Sequence, residues 1–195
     1  LGAMAIGAIP AGIYQTCSPE EIEYILNHSE APIVLVENQS QLDKILSIRE
    51  NTTHLKQIVL MKGTKASGEG VVAWDDFLAT GDAIGTNDVE ERIKNLDPEK
   101  AATFIYTSGT TGPPKAVMLS HDNLAWTADL AVRIVNHSET DKSLSYLPLS
   151  HIAEQMFTLH APITSGASVY FAESVEKMPD NLKEVQPTVF FGVPR

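Results

Sequence analysis

The chain has 195 residues, 43% of them hydrophobic and 20% charged, with a formal net charge of −11. That apolar content builds a core and excludes a disordered chain. The acidity excludes general nucleic-acid binding, which needs a basic footprint, but leaves room for a local cationic site for one small anion.

Cys17 is the single cysteine, so no internal disulfide forms and a reducing compartment is favoured. No run of 18 apolar residues suggests a membrane span. The apolar start, "LGAMAIGAIPAGIY", lacks a basic n-region and breaks at Pro10, unlike a signal peptide. The sequons at Asn27, Asn38, Asn51 and Asn136 read as chance matches to a short motif. Both ends read as internal to a longer chain. The first begins mid-helix without an initiator methionine, and "VFFGVPR" stops straight after a strand-like run.

In chain order, residues 1–8 read as the tail of a small-residue helix ended by Pro10 and Gly12. "SPEEIEYILNHSE" is a helix with Ser18 as N-cap, Pro19 at N1 and Glu21 closing a capping box. Ile22, Ile25 and Leu26 form its apolar face. Glu20, Glu21 and Glu23 read as a solvated helix start, not paired catalytic carboxylates. "PIVLVE" is a buried strand. "SQLDKILSIRE" is an amphipathic helix with Leu42, Ile45, Leu46 and Ile48 inward, and "QIVLM" is the next strand.

Unbroken aliphatic strands alternating with helices predict an α/β fold. Its sheets are mostly parallel, flanked by helices and covered on both faces. From Lys62 to Asn95 the signal weakens. "KGTKASGEG" is a polar turn region, and "WDDFLATG" and "DVEERIKNL" are short helices. Asp97-Pro98 marks a seam, giving one α/β portion over 1–97 and a second over 98–195.

The second half repeats the alternation. "ATFIYTS" and "AVMLS" are strands. "HDNLAWTADLAVRIVN" is a helix begun by His121 and Asp122, with Trp126, Leu130 and Ile134 as core positions. "SLSYLPL" is a strand, "IAEQMFTLHAPITSG" one helix, "SVYFA" a strand, "DNLKEV" a short helix and "TVFFGVP" a last strand.

The segment "TSGTTGPPK" joins two of these strands. Gly109 and Gly112 free the backbone to turn N–H groups into a concave nest for phosphate. Thr107, Ser108, Thr110 and Thr111 add hydroxyls, which also suit a hard cation such as Mg²⁺. Lys115 adds a point charge for phosphate oxygens. The spacing is not that of a Walker A loop: the lysine follows proline, Ala116 stands where Ser or Thr belongs, and a strand follows instead of a helix. A serine- and threonine-rich surface turn without ligand is the plain alternative.

"YTSGTTGPPKAVMLSH", Tyr106 to His121, resembles the phosphate-binding signature of the adenylate-forming superfamily of acyl-CoA synthetases, luciferases and peptide-synthetase adenylation domains. It departs at Ala116, where that family usually has glycine. "YLPLSHIAEQ", Tyr146 to Gln155, resembles the next motif as long-chain acyl-CoA synthetases carry it. "PTVFFGVPR" and "LGAMAIGAIPAGIYQTCSPEEIEYIL" resemble flanking parts of the same large N-terminal domain, in wording nearest the bubblegum-type long-chain synthetases.

The resemblance implies ATP- and Mg²⁺-dependent activation of a long-chain fatty acid through an acyl-adenylate to its CoA thioester. Thr107, Ser108, Gly109, Thr110, Thr111, Gly112 and Lys115 are then the phosphate binders, with Thr107 also a metal ligand. Lys115 and His151 are the catalytic candidates, His151 lying near the substrate carboxylate; the alternative is a histidine that only caps or packs a helix start. Glu154 lies one turn on and could share its face. The spacing of His151, Glu154 and His160 does not suit a metal site. "TGD" at Thr80–Asp82 lies upstream of the loop, whereas the family's ribose-binding aspartate lies far downstream, so it reads as a plain loop.

The family's adenine-binding segment, ribose aspartate, hinge and small C-terminal domain with its lysine are absent from these residues, which implies little activity alone. Fatty acid, ATP and CoA are the implied ligands, with no nucleic acid. A cytoplasmic location is implied, with peripheral contact to a membrane surface left open. Two other readings stand: a ligase for a shorter or aromatic carboxylate, and a non-catalytic nucleotide- or acyl-binding homologue.

Overall fold

A computed structural model of the chain describes residues 1–63, 67–107 and 112–192. The chain divides into two compact units, residues 1–96 with 106–116 and residues 97–105 with 117–195.

The first unit opens with α1 (Gly2–Ala5) and β1 (Ala11–Gly12). Helix α2 (Pro19–His28) starts as its sequence dictates. The Ser18 side chain accepts from Glu21 N, the Glu21 carboxylate accepts from Ser18 N, and Pro19 sits in the first turn. Strands β2 (Ile33–Val36), β3 (Gln57–Leu60) and β4 (Val71–Ala73) pair in parallel, Val34 opposite Ile58 and Ile58 opposite Val71.

Helix α3 (Gln39–Ser47), capped by Asn38, covers this sheet, followed by a 3₁₀ turn at Arg49–Asn51. Ile22, Leu26, Val34, Leu42, Ile45 and Ile58 belong to one core cluster, and Leu42 and Ile58 are wholly buried. β2 is not covered on both faces as expected: Ile33 and Leu35 are exposed while Val34 and Val36 are buried. The period of two along a strand sends alternate residues to opposite faces, and only one face of β2 meets the cluster. Helices α4 (Trp74–Ala79) and α5 (Thr86–Lys94) complete the unit, with no buried residue in either.

Strand β5 (Ala101–Thr107) begins in the second unit and ends in the first; β6 (Lys115–Ser120) is its neighbour in the sheet. Helix α6 (His121–Val135) is capped by Ser120 and closed by Asn136 in the left-handed conformation. β7 (Lys142–Ser145) and β8 (Ser168–Phe171) pair in parallel. Helix α9 (Met178–Val185) follows.

Three expectations for the second unit are corrected. The core positions of α6 are Leu124 and Ala128, whereas Trp126, Leu130 and Ile134 are 64%, 38% and 73% exposed. Both sets follow helical spacing, and they lie roughly 130° apart around the axis. The small Ala128 faces inward, which lets α6 pack closely on residues 156–165.

The single helix expected after β7 is three pieces: α7 (Ile152–Gln155), a π-helical turn (Met156–His160) and α8 (Ala161–Ser165). Pro162 offers no N–H, and its ring crowds the carbonyl four residues back, so the preceding turn widens.

The strand expected at 188–194 does not form among its described residues. Thr188 N and Val189 N both donate to the one carbonyl of Lys142, at 3.0 and 3.2 Å. The Thr188 hydroxyl accepts from Lys142 N at 3.0 Å and donates to Asp141 at 2.6 Å, replacing a ladder with a side-chain clasp.

Leu42→Ala is expected to cost about 2–5 kcal/mol, whereas Trp126→Ala stays within about 0.5 kcal/mol. Urea denaturation of both variants checks this. A large loss for Trp126→Ala would mean that its face packs in the folded chain.

Candidate functional site

β5 is built to be inside. Ala102, Thr103, Ile105 and Tyr106 are buried, and Thr107 is its exposed last residue. Tyr106 is only 4% exposed. Its hydroxyl is hydrogen-bonded to His28 Nδ1 at 2.9 Å, and the His28 ring meets it edge-on while stacking on Tyr24 at 5.3 Å. Burial raises the Tyr106 phenol above its ordinary value, so it keeps its proton at neutral pH. Thus the last turn of α2 grips the strand one residue before Thr107.

Ser108, Gly109, Thr110 and Thr111 lie outside the described residues. Beyond them, Gly112 has φ +92°, and a Cβ added there would meet nothing within 4 Å. Glycine is therefore required by the backbone conformation, not by crowding. Lys115 is the exposed first residue of β6. Ala116, the departure from the family's glycine, has no positive φ and sits in the strand, so its methyl strains nothing.

His151 belongs to the second unit and is exposed. It is the N-cap of α7, its Nδ1 accepting from Ala153 N at 3.2 Å, while its own N–H donates to Pro148 O at 2.9 Å. An accepting Nδ1 puts the ring proton on Nε2, which can then donate to a carboxylate.

Glu154 does not share the exposure of His151. It is 3% exposed, and its Oε1 accepts from Ser145 Oγ at 2.5 Å and Thr158 Oγ1 at 2.8 Å. A buried carboxyl needs such donors. The spacing of Glu154 and Thr158, four apart, was a signal available in the sequence; Ser145 and the His28–Tyr106 pair were not, being joined only by the fold. No group of three His, Cys, Asp or Glu side chains able to hold a metal occurs among the described residues.

The profile of the AMP-binding enzyme family matches residues 1–195, the entire chain. The chain belongs to that family. The chain is 43% identical over 202 residues to the long-chain-fatty-acid–CoA ligase ACSBG2 of Homo sapiens, covering all of this chain and 30% of that protein. It is 38% identical over 203 residues to ACSBG1 of Homo sapiens, covering 28% of it. The chain thus spans less than a third of the length of these relatives.

Among solved structures, an anthranilate CoA ligase, AuaEII, in complex with anthranoyl-AMP superposes with a TM-score of 0.77 at 28% identity, covering 95% of this chain and 35% of that one. A long-chain-fatty-acid–CoA ligase from Archaeoglobus fulgidus gives 0.73 at 25% identity, covering 97% and 36%. The α/β fold is therefore that of the adenylate-forming CoA ligases. No helix among the described residues is long and apolar enough to cross a membrane.

Tyr106→Phe removes the bond to His28 and is expected to cost about 1 kcal/mol, a Tm drop of about 2–4 °C. An unchanged Tm would show that the bond holds nothing in place.

His160 gives a pH prediction. Burial lowers its pKa from the ordinary 6.5. The unfolded chain then binds the extra proton first, so stability is full above pH 6.5 and falls as pH drops through the lower folded value. His160→Gln is expected to flatten that part of a Tm-against-pH profile; an unaltered slope would assign the loss to other groups.

Proposed function

We propose that the chain is the phosphate-gripping part of an ATP-dependent long-chain fatty-acid–CoA ligase. The observation that carries this reading is that β5 ends at Thr107, directly after a Tyr106 bonded to His28, and β6 begins at Lys115, in a chain whose whole length aligns with long-chain ligases.

In the first step a fatty carboxylate oxygen attacks the α-phosphorus of ATP. The bridging oxygen leaves with pyrophosphate, and the acyl-adenylate remains. In the second, the CoA sulfur attacks the acyl carbon, the thiol proton passes to solvent or base, and AMP departs. An anion must approach a polyanion, so neutralisation and orientation matter most.

Lys115, exposed at the start of β6, neutralises phosphate oxygens, and Gly112 admits the backbone close to them. Ser108, Gly109, Thr110 and Thr111 are proposed to donate to the same phosphates. His151 Nε2–H would orient the fatty carboxylate. The exposed Thr107 hydroxyl, a hard oxygen, fits Mg²⁺, which favours few protein ligands together with phosphates and water. When bound, Mg²⁺ supplies charge neutralisation on the phosphates. CoA and fatty acid complete the proposed ligand set. The likeness to the anthranilate ligase keeps an aromatic carboxylate as the second reading, and a panel of carboxylates separates the two.

Lys115→Ala is expected to weaken ATP binding about tenfold or more, the loss of one charged hydrogen bond. Isothermal titration with Mg·ATP measures it, and an unchanged affinity would remove Lys115 from the site. The polypeptide of residues 1–195 alone is expected to yield little thioester; robust turnover would show that these residues suffice.

A further inference from the structure

A second polar site lies inside the second unit. A cavity of about 20 Å³ is lined by residues of α6, β7, the α7–π segment and the clasp after α9, among them His137, Ser143, Glu154 and Thr158. His137 is 9% exposed, and its Nδ1 is hydrogen-bonded to Ser165 Oγ at 3.1 Å. Its Nε2, and the buried Oγ of Ser143, have no hydrogen-bond partner among the described residues. Glu154 reaches the same cavity, with both of its hydroxyl donors, Ser145 and Thr158, spent on Oε1.

Two orphaned polar atoms beside a buried carboxyl are costly in a dry space. The volume suits one water and little else: a water needs roughly 10–15 Å³ and two to four polar partners. A metal ion is a poor match, because a single carboxyl, a hydroxyl and one imidazole nitrogen fall short of the oxygen-rich shell that a hard cation takes. The apolar rings of Phe157 and Phe191, stacked at 4.6 Å, line the same cavity and offer no hydrogen-bond partner there.

We propose that this cavity is a site for one resident water, hydrogen-bonded to His137 Nε2, Ser143 Oγ and the Glu154 carboxyl. Water both donates and accepts, so it serves all three whichever tautomer His137 adopts. The bridge runs from Ser165 through His137 and the water to Glu154, and on to Ser145 in β7. It ties His137, two residues past the end of α6, to the helix that His151 caps.

A crystal structure of the protein at about 1.5 Å tests the site directly. The expected result is a single solvent peak about 2.7–3.2 Å from both His137 Nε2 and Ser143 Oγ. No peak there, or a direct His137–Ser143 bond, overturns the proposal.

Ser143→Ala gives a second reading with opposite signs. If water is resident, the variant loses a partner, and Tm falls by about 2–4 °C. If the space is dry, the variant removes an unsatisfied hydroxyl and Tm rises, which also overturns it.

Discussion

The hydrogen bond between Tyr106 and His28 joins the best-packed part of this chain to its candidate site. His28 ends α2, whose Ile22 and Leu26 are fixed in the aliphatic cluster with β2, β3 and α3. Tyr106 immediately precedes Thr107, the first residue of the phosphate-loop motif. A loop that must meet a polyanion carries hydroxyls and glycines and has little apolar surface of its own. Its rigidity has to be borrowed from its base. A buried aromatic with a single polar handle, held by a histidine from a packed helix, fixes the end of β5 at Thr107 without placing a charge beside the proposed phosphate site.

The second unit solves a different problem. Its polar side chains work in pairs and triads: Glu154 with Ser145 and Thr158 in the interior, Asn181 with Glu173 at its edge, and Thr188 with Asp141 at the surface. Donation from Thr188 and Ser138 holds the Asp141 carboxyl below its ordinary range. These bonds take over work that ladders and regular helix would otherwise do. Pro162 widens the helix before it, and the clasp at Lys142 takes the place of a ninth strand. The segment that His151 caps is thus placed by buried side-chain chemistry more than by helix propensity.

Much of the fold was legible in the amino-acid order. The capping box at Ser18 and Glu21, the aliphatic strands and the start of α6 all depend on neighbours within four residues, so local reading found them. The proposed phosphate-binding motif is likewise local, because its candidate residues lie within nine consecutive positions. The inward face of α6 was not legible. Trp126, Leu130 and Ile134 keep helical period as well as Leu124 and Ala128 do. Periodicity says that a face is apolar, not which of two apolar faces meets a partner.

The contrast extends to the site. Residue order set the glycines, hydroxyls and lysine of the loop, the proton-bearing chemistry of His151 and the parallel α/β pattern, since each is a matter of composition and short-range spacing. Tertiary structure alone decided that Tyr106 would be gripped from 78 residues away, that Glu154 would be buried while His151 stayed exposed, and that His137 and Ser143 would line one cavity. Those outcomes depend on which distant groups share a desolvated space. Only folding brings them together and makes each unpaired polar atom count.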